Sequence, residues 1–418
     1  MLRHSLGRSE VETLNVRSLV SRASELEQQP EDPPPEEPKL PVPQRTWNKG
    51  DGRLDAGGSV QGIDGERGEV IFDIRRELGT GSFGTVYEAN NRHDDSEKVA
   101  IKVPGKRTDA RAIELEYRAH ERALGNGEDS SHIVGLKGAI IAPDGTFQGI
   151  VLEHMSGGNV DRLLTRLAAA ELRGSISHEQ AQLVRCTIAK DMATGLAQLH
   201  ENRSMVHYDI KPENFLISGS GVVKLADFGL TRPEAELHGE ALETSTTLAF
   251  KSPELHDAPS QRFNLRREVE RLESRSEQRG LTKEALSDLA RSRRLRQEMD
   301  TIAVDRSSDV FSLGLSFAKV FAGTQLAGHR GAVTGAIEAL GGESAARRND
   351  VLHGLRIDSD RQDHQLIRAM LAGNPTDRPT ADEIRNTALF EDPQIGSDAI
   401  RQLMFDIAKG KHEPGPGR

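Results

Sequence analysis

Four polar residues in one stretch of the chain could do chemistry together. His207-Tyr208-Asp209-Ile210-Lys211-Pro212-Glu213-Asn214 places an acid, an ammonium and an amide side by side, and Asp227-Phe228-Gly229 follows thirteen residues after Asn214. A carboxylate held near a hydroxyl can accept its proton. A lysine beside it can neutralise charge on a transferring phosphoryl group. The amide oxygen of Asn214 and a carboxylate of Asp227 are hard donors of the kind magnesium takes, alongside water and phosphate oxygens. Taken singly, an Asp-Phe-Gly is more often an ordinary turn than a metal site.

Upstream, Leu78-Gly79-Thr80-Gly81-Ser82-Phe83-Gly84-Thr85-Val86 is a G-x-G-x-x-G stretch. Glycines let a backbone approach phosphate oxygens where side chains would block it. Spacing of this kind arises by chance in a chain with 40 glycines. A dinucleotide-binding turn would need a helix directly afterwards. Here the β-branched Thr85 and Val86 follow, so the loop is expected to join two strands. Val99-Ala100-Ile101-Lys102 comes next. A lysine ending a buried strand is costly unless paired; a phosphate and a carboxylate would satisfy it, and a strand-end lysine reaching out to water is the plain alternative.

The elements that must position these residues read as strands first and helices afterwards. Val70–Ile74, Thr85–Ala89 and Lys98–Val103 are β-rich. Arg111–Leu124 is helical, with Ile113, Tyr117, His120 and Leu124 on one face. Pro143-Asp144-Gly145 is a hairpin turn between 139–142 and 148–152. After Gly158 the pattern turns helical: Val184, Ile188, Met192, Leu196 and Leu199 form one buried face. Short strands at 215–218 and 222–225, then helices at 309–321 and 365–371, complete the reading. A small antiparallel sheet with one helix, followed by a large helical part, implies an α+β fold of two lobes with a ligand cleft between them.

The chain has 418 residues, only 35 % of them apolar, and a net charge of −10. Residues 1–69, with an acid- and proline-rich run at 30–43 and a glycine-rich run at 50–68, are expected to be a disordered tail holding at most a marginal helix between Ser9 and Gln29. The charge argues against a nucleic-acid partner. Cys186 is the only cysteine, which excludes an internal disulfide and a cysteine metal cluster. No apolar run approaches a membrane span, and neither a secretory signal nor a myristoylation glycine stands at the N-terminus. The expected setting is cytoplasmic.

In this order, the glycine loop, Val-Ala-Ile-Lys, the catalytic-type loop and Asp-Phe-Gly resemble the eukaryotic-type (Hanks-type) protein kinases, over about residues 71–392. The resemblance implies a kinase domain at 70–392, with a small lobe at 70–155, a helical lobe at 156–392 and a C-terminal helix and tail at 393–418. It implies ATP and magnesium as cofactors and a protein substrate. Gly79, Gly81 and Gly84 would cover the phosphates; Lys102 would bind them, paired with Glu116 (Glu114 and Glu121 being the alternatives). Val86, Ala100, Leu152, Glu153 and Met155 fall at nucleotide-binding positions, Glu153 to Met155 at the hinge and Leu152 guarding the rear pocket. Asp209 would be the catalytic base with Lys211 beside it, and Asn214 and Asp227 the metal ligands. Lys211, and Thr247 seven residues before Glu254, resemble the serine/threonine branch. Glu254 would pair with Arg378, and Asp309–Gly314 matches the central helix of the large lobe.

Two departures stand out. Tyr208 replaces the arginine that normally receives a phosphate from the activation segment, which implies a kinase active without that switch. Glu254 and Asp309 are 55 positions apart, far more than the family pattern. The extra stretch, 257–301, reads as two charged helices joined near Arg279-Gly280, either a solvated hairpin or a docking element for a partner. A serine- and arginine-containing leader before a kinase also resembles bacterial effector kinases delivered into host cytosol. A pseudokinase scaffold would lack one of Lys102, Asp209 or Asp227. A small-molecule phosphotransferase of related fold would lack Thr247 and Pro253-Glu254. None of these is missing.

Overall fold

A computed structural model describes Gly57 and residues 59–64, 68–81, 84–105, 110–125, 129–142, 144–234, 250, 252–254, 267–276, 282–301, 305–340, 345–355, 357 and 360–412. The expected helix at 9–29, Ser82 and Phe83 of the glycine loop, Thr244–Thr247, Lys251 and parts of the 257–301 insertion lie outside the described residues.

The first half is a sheet of six strands: β1 (Ser59–Asp64), β2 (Gly68–Gly81), β3 (Gly84–Asn91), β4 (Asp94–Pro104), β5 (Leu136–Ile141) and β6 (Phe147–Glu153). Neighbours are antiparallel in the order β1-β2-β3-β4-β6-β5, and β1 pairs back onto β5, which closes the sheet into a barrel. In β2 the alternation of Val70, Phe72 and Ile74, all buried, with half-exposed neighbours gives the period of two that turns one face inward. Ile101, Val103, Ile140 and Val151 fill the same interior.

The boundary expected at Val70 falls inside β2, and residues 59–64 are strand rather than tail. Ser59-Val60-Gln61-Gly62-Ile63-Asp64 has only Val60 and Ile63 as apolar side chains, too weak a pattern to stand out beside a glycine-rich run. Pairing with two strands supplies what its composition does not.

Helix α1 (Ala110–Leu124) lies between β4 and β5 in the chain and packs on β5 and β6. The second half holds β7 (Gly158–Asn159), α2 (Val160–Leu172), α3 (His178–Arg203), β8 (Met205–Val206), β9 (Phe215–Ile217), β10 (Val223–Leu225) and β11 (Arg232–Pro233). A stretch at 267–276 and α4 (Lys283–Thr301) are both helical, as the spaced leucines of the insertion imply. Then come α5 (Arg306–Phe321), α6 (Gln325–Ala339), α7 (Ala345–Gly354), α8 (Gln362–Met370), α9 (Ala381–Arg385) and α10 (Asp398–Ala408).

Two helices make the frame of this half. A capping box of Ser177 and Gln180 starts α3, and its buried residues continue the face expected from Val184 to Leu199. Helix α5 is buried on all sides from Ser308 to Val320. Helix α10 is bolted to α3 by Arg401, which donates two hydrogen bonds to the buried Asp191 carboxylate at 2.7 and 3.0 Å. The Arg378 guanidinium is held by both oxygens of Glu254, the pair the sequence implies.

Candidate functional site

Strand register decides which side chains share a face. Val86 pairs with Lys102, Ala100 with Leu152, and Lys102 with Ile150. Directly opposed residues point the same way, and so do residues two apart on one strand. Val86, Ala100, Lys102 and Leu152 therefore lie on one face of the sheet. Leu152 also packs with Met155, Val134 and Ala226, so the residues expected at nucleotide-binding positions converge. Glu153 points elsewhere: its carboxylate accepts from Lys224 Nζ at 2.8 Å and from the Gly135 amide at 3.0 Å.

The glycines differ in what they do. Beside Gly79 and Gly81 there is open space within 4 Å of where a Cβ would stand. At Gly84, with φ +153°, a Cβ would fall 2.1 Å from the Val103 carbonyl oxygen. Only Gly84 is fixed by its own backbone; the other two leave room above the cleft.

Lys102 Nζ donates to Glu116 Oε1 at 2.6 Å and to Asp227 Oδ1 at 3.0 Å. Of the three carboxylates that α1 offers, the structure brings Glu116 to Lys102, whereas Glu114 holds Arg118. Burial works against the Lys102 charge, yet Asp227 and Glu116 outweigh it and hold the ammonium above its ordinary range. Burial pushes Glu116 up in spite of Lys102. Burial also opposes ionisation of Asp227, but the Lys102 charge prevails and keeps that carboxyl below the usual range.

The second cluster is built on an irregular loop. Asp209 Oδ2 accepts from Lys211 Nζ at 2.6 Å and from Asn214 Nδ2 at 2.9 Å. Asn214 Nδ2 also donates to the Asp209 carbonyl at 2.8 Å, so both its hydrogens are used and its Oδ1 is the atom left to face a cation. The Ala226 amide donates to the Asn214 carbonyl at 2.9 Å, which ties this loop to the strand that delivers Asp227. Both Tyr208 and Asp227 have φ of +66°, a conformation rare for residues with side chains.

From sequence, Asp309 bears on the fold more than on the chemistry; the structure gives it more to do. Its buried carboxylate accepts from the His207 amide at 2.7 Å, the Tyr208 amide at 2.9 Å and His200 Nε2 at 2.9 Å. Asp309 therefore sets the backbone of the catalytic-type loop. Spacing could not reveal this, since Asp309 and Tyr208 are 101 positions apart.

A stack of rings also has no local signal in the sequence. Phe228 lies between His120 of α1, at 4.4 Å between centroids, and His207, at 5.4 Å. His120 Nε2 reaches the Val134 carbonyl at 2.6 Å, and His207 Nε2 the Ala226 carbonyl at 3.1 Å. The Asp209 amide donates to His207 Nδ1, so Nε2 carries the proton of a neutral ring. Burial pushes His120 down to about 4. Unfolded histidine titrates near 6.5, so below that pH the unfolded chain binds a proton the fold refuses. Stability should therefore be whole above pH ~6.5 and fall by roughly 1 kcal/mol per pH unit toward pH 4. His120→Leu should flatten that part of the curve of urea midpoint against pH; an unchanged slope would refute the account.

The start of the segment after Gly229 is anchored by backbone pairing and an ion pair. Strand β11 pairs with β8, the Glu234 amide donates to the Ser204 carbonyl at 2.8 Å, and Arg306 Nη2 meets the Glu234 carboxylate at 2.6 Å. Thr231 is buried, 1 % exposed.

Among the described residues no three His, Cys, Asp or Glu side chains converge to hold a metal, and no helix is long and apolar enough to cross a membrane.

The protein kinase domain model matches residues 72–263. The serine/threonine-protein kinase CTR1 of Arabidopsis thaliana is 31 % identical over 204 residues, which is 48 % of this chain and 23 % of that protein. The serine/threonine-protein kinase SCH9 of Saccharomyces cerevisiae is 30 % identical over 192 residues, 45 % of this chain and 21 % of its own. Mitogen-activated protein kinase kinase 7 of Arabidopsis thaliana is 29 % identical over 181 residues, 43 % of this chain and 53 % of its own. The chain thus spans less than a quarter of the first two of these relatives.

Proposed function

We propose that the chain is a protein kinase of the Hanks serine/threonine type, the protein kinase domain model matching residues 72–263, and that it transfers the γ-phosphoryl group of ATP to serine or threonine hydroxyls of proteins. The observation that carries this reading is the triangle of Lys102, Glu116 and Asp227, tied through the Ala226 amide and the Asn214 carbonyl to a second cluster of Asp209, Lys211 and Asn214. The donor set fits the reactants. Open space beside Gly79 and Gly81 suits a triphosphate approached by backbone. Asn214 Oδ1 and the Asp227 carboxylate are hard oxygens suited to magnesium, which when bound neutralises charge on the β and γ phosphoryl oxygens.

The chain's own residues do the rest. Glu116 fixes Lys102 so that its ammonium meets phosphate oxygens at one place. Lys211 and Asn214 hold Asp209 so that its carboxylate can take the proton of an incoming hydroxyl. Lys211 lies close enough to offset negative charge as the phosphoryl group moves. Val86, Ala100, Leu152 and Met155 supply apolar surface for a base. Together the sheet and the helical half act as the small and large lobes of the fold.

The same reading includes independence from activation-segment phosphorylation. With Tyr208 in place of arginine, the segment's start is held by Glu234 and Arg306. Replacing Thr231, Thr244, Ser245 and Thr246 together by alanine should leave kcat within about tenfold of wild type. A loss of about a hundredfold, roughly 2.7 kcal/mol in the barrier, would overturn the idea.

A further inference from the structure

Strand β1 precedes the segment that matches the kinase domain model, which begins at residue 72. Its place in the barrel is tight. At Gly62 a Cβ would stand 2.7 Å from Ile140 Cδ1, 3.0 Å from the Ala139 carbonyl oxygen and 3.1 Å from Phe72 Cε2. Glycine here lets β1 lie close against β5, where Ile63 pairs with Ala139 and Asp64 with Gly138.

That seating carries one side chain to the helix that bears Glu116. Ile63 is buried and clusters with Ala139 and Ile141; Tyr117 and Phe147 pack against the cluster, with their rings 5.3 Å apart. Tyr117 belongs to α1 and directly follows Glu116, the carboxylate that holds Lys102. His120 fixes the next turn of α1 to the Val134 carbonyl. The turn that bears Glu116 thus rests on a patch completed by β1.

We propose that Ile63 is a positioning residue for phosphoryl transfer: through the Tyr117–Phe147 contact, β1 sets the helix that presents Glu116 to Lys102. The inference rests on the kinase reading above. Its physical basis is packing. Removing the Ile63 side chain leaves a void that α1 fills by shifting, and a shift of about 1 Å at a positioned group costs as much as a hundredfold in rate. Because β1 joins the sheet from outside the matched domain, whatever displaces it would slow the enzyme without touching the cleft.

The test uses the full chain with magnesium-ATP and casein as acceptor. Ile63→Ala should lower kcat about tenfold, and Ile63→Val should restore it to within about twofold. In a Glu116→Gln background Ile63→Ala should cost nothing further, since both act through one carboxylate. Equal losses in the two backgrounds, or an unchanged kcat, would overturn the proposal. Amide hydrogen exchange reads the same contact without any activity: peptides covering residues 112–121 should exchange faster in Ile63→Ala, and those of α3 should not. Unchanged exchange in α1 overturns the proposal as well. Should Ile63→Ala fail to fold, Ile63→Thr, closer in shape, takes its place. A wild-type chain that labels no acceptor would defeat the kinase reading instead, and the exchange measurement would still decide the role of Ile63.

Discussion

Asp209→Asn should lower phosphoryl transfer by about 10²–10⁴-fold, with the melting temperature close to that of wild type. The carboxylate is held on one oxygen by Lys211 at 2.6 Å and Asn214 at 2.9 Å. An asparagine side chain of the same shape can turn its carbonyl oxygen to those donors, so the loop keeps its bonds. What it cannot do is accept a proton at neutral pH. The loss should therefore fall on kcat, with the ATP KM little changed. Lys102→Met in the same assay makes a useful contrast. It leaves Glu116 and Asp227 facing each other without the ammonium between them. Glu116, already pushed up by burial, should then take up a proton, and nucleotide binding should weaken along with turnover. Labelling of casein that persists within tenfold of wild type in Asp209→Asn would remove the base assignment. Nucleotide binding without any transfer by the wild-type chain would favour a scaffold, and transfer confined to small alcohols or amines a small-molecule phosphotransferase.

The arrangement of the candidate site was legible because local spacing encodes it. Asp209, Lys211 and Asn214 are neighbours in sequence, and a loop of that length leaves them little choice but to meet. Lys102 and Glu116 are fourteen positions apart, joined by one strand end and one helix turn, and the helical face pointed to Glu116 while leaving Glu114 and Glu121 as alternatives. Helices α3 and α5 could be read because long periodic burial is the strongest signal a sequence gives.

What stayed hidden depends on distance or on weak composition. Strand β1 looks like a glycine-rich linker, and only its pairing with two other strands makes it structure. The closure of the barrel follows from that pairing, which the composition of 59–64 does not signal. The ring stack of His120, Phe228 and His207 joins three separate parts of the chain. His120 was visible only as one member of an apolar face. That face was right about its burial and silent about the aromatic ring it meets.

Asp309 is the extreme case of this hidden wiring, and its replacement should have the second large effect. Three buried donors, the amides of His207 and Tyr208 and the ring of His200, end on one carboxylate that is 1 % exposed. Asp309→Ala strands all three in a site that water does not reach. Each orphaned donor costs about 1–3 kcal/mol, so the unfolding free energy from urea titration should fall by at least about 3 kcal/mol. Asn in its place is scarcely kinder, because its amide nitrogen would face a donor. Activity should suffer beyond stability. Tyr208 holds φ +66°, a conformation that costs about 1–3 kcal/mol and persists only where surroundings impose it. Its amide bond to Asp309 is part of that constraint. Once released, Tyr208 should relax toward negative φ and swing Asp209, its direct neighbour, away from Lys211 and Asn214. At a temperature where Asp309→Ala is still folded, kcat should thus be down by about a hundredfold or more. A variant that melts near wild type and retains its turnover would show that other contacts hold the loop in shape and that Asp309 does not set it.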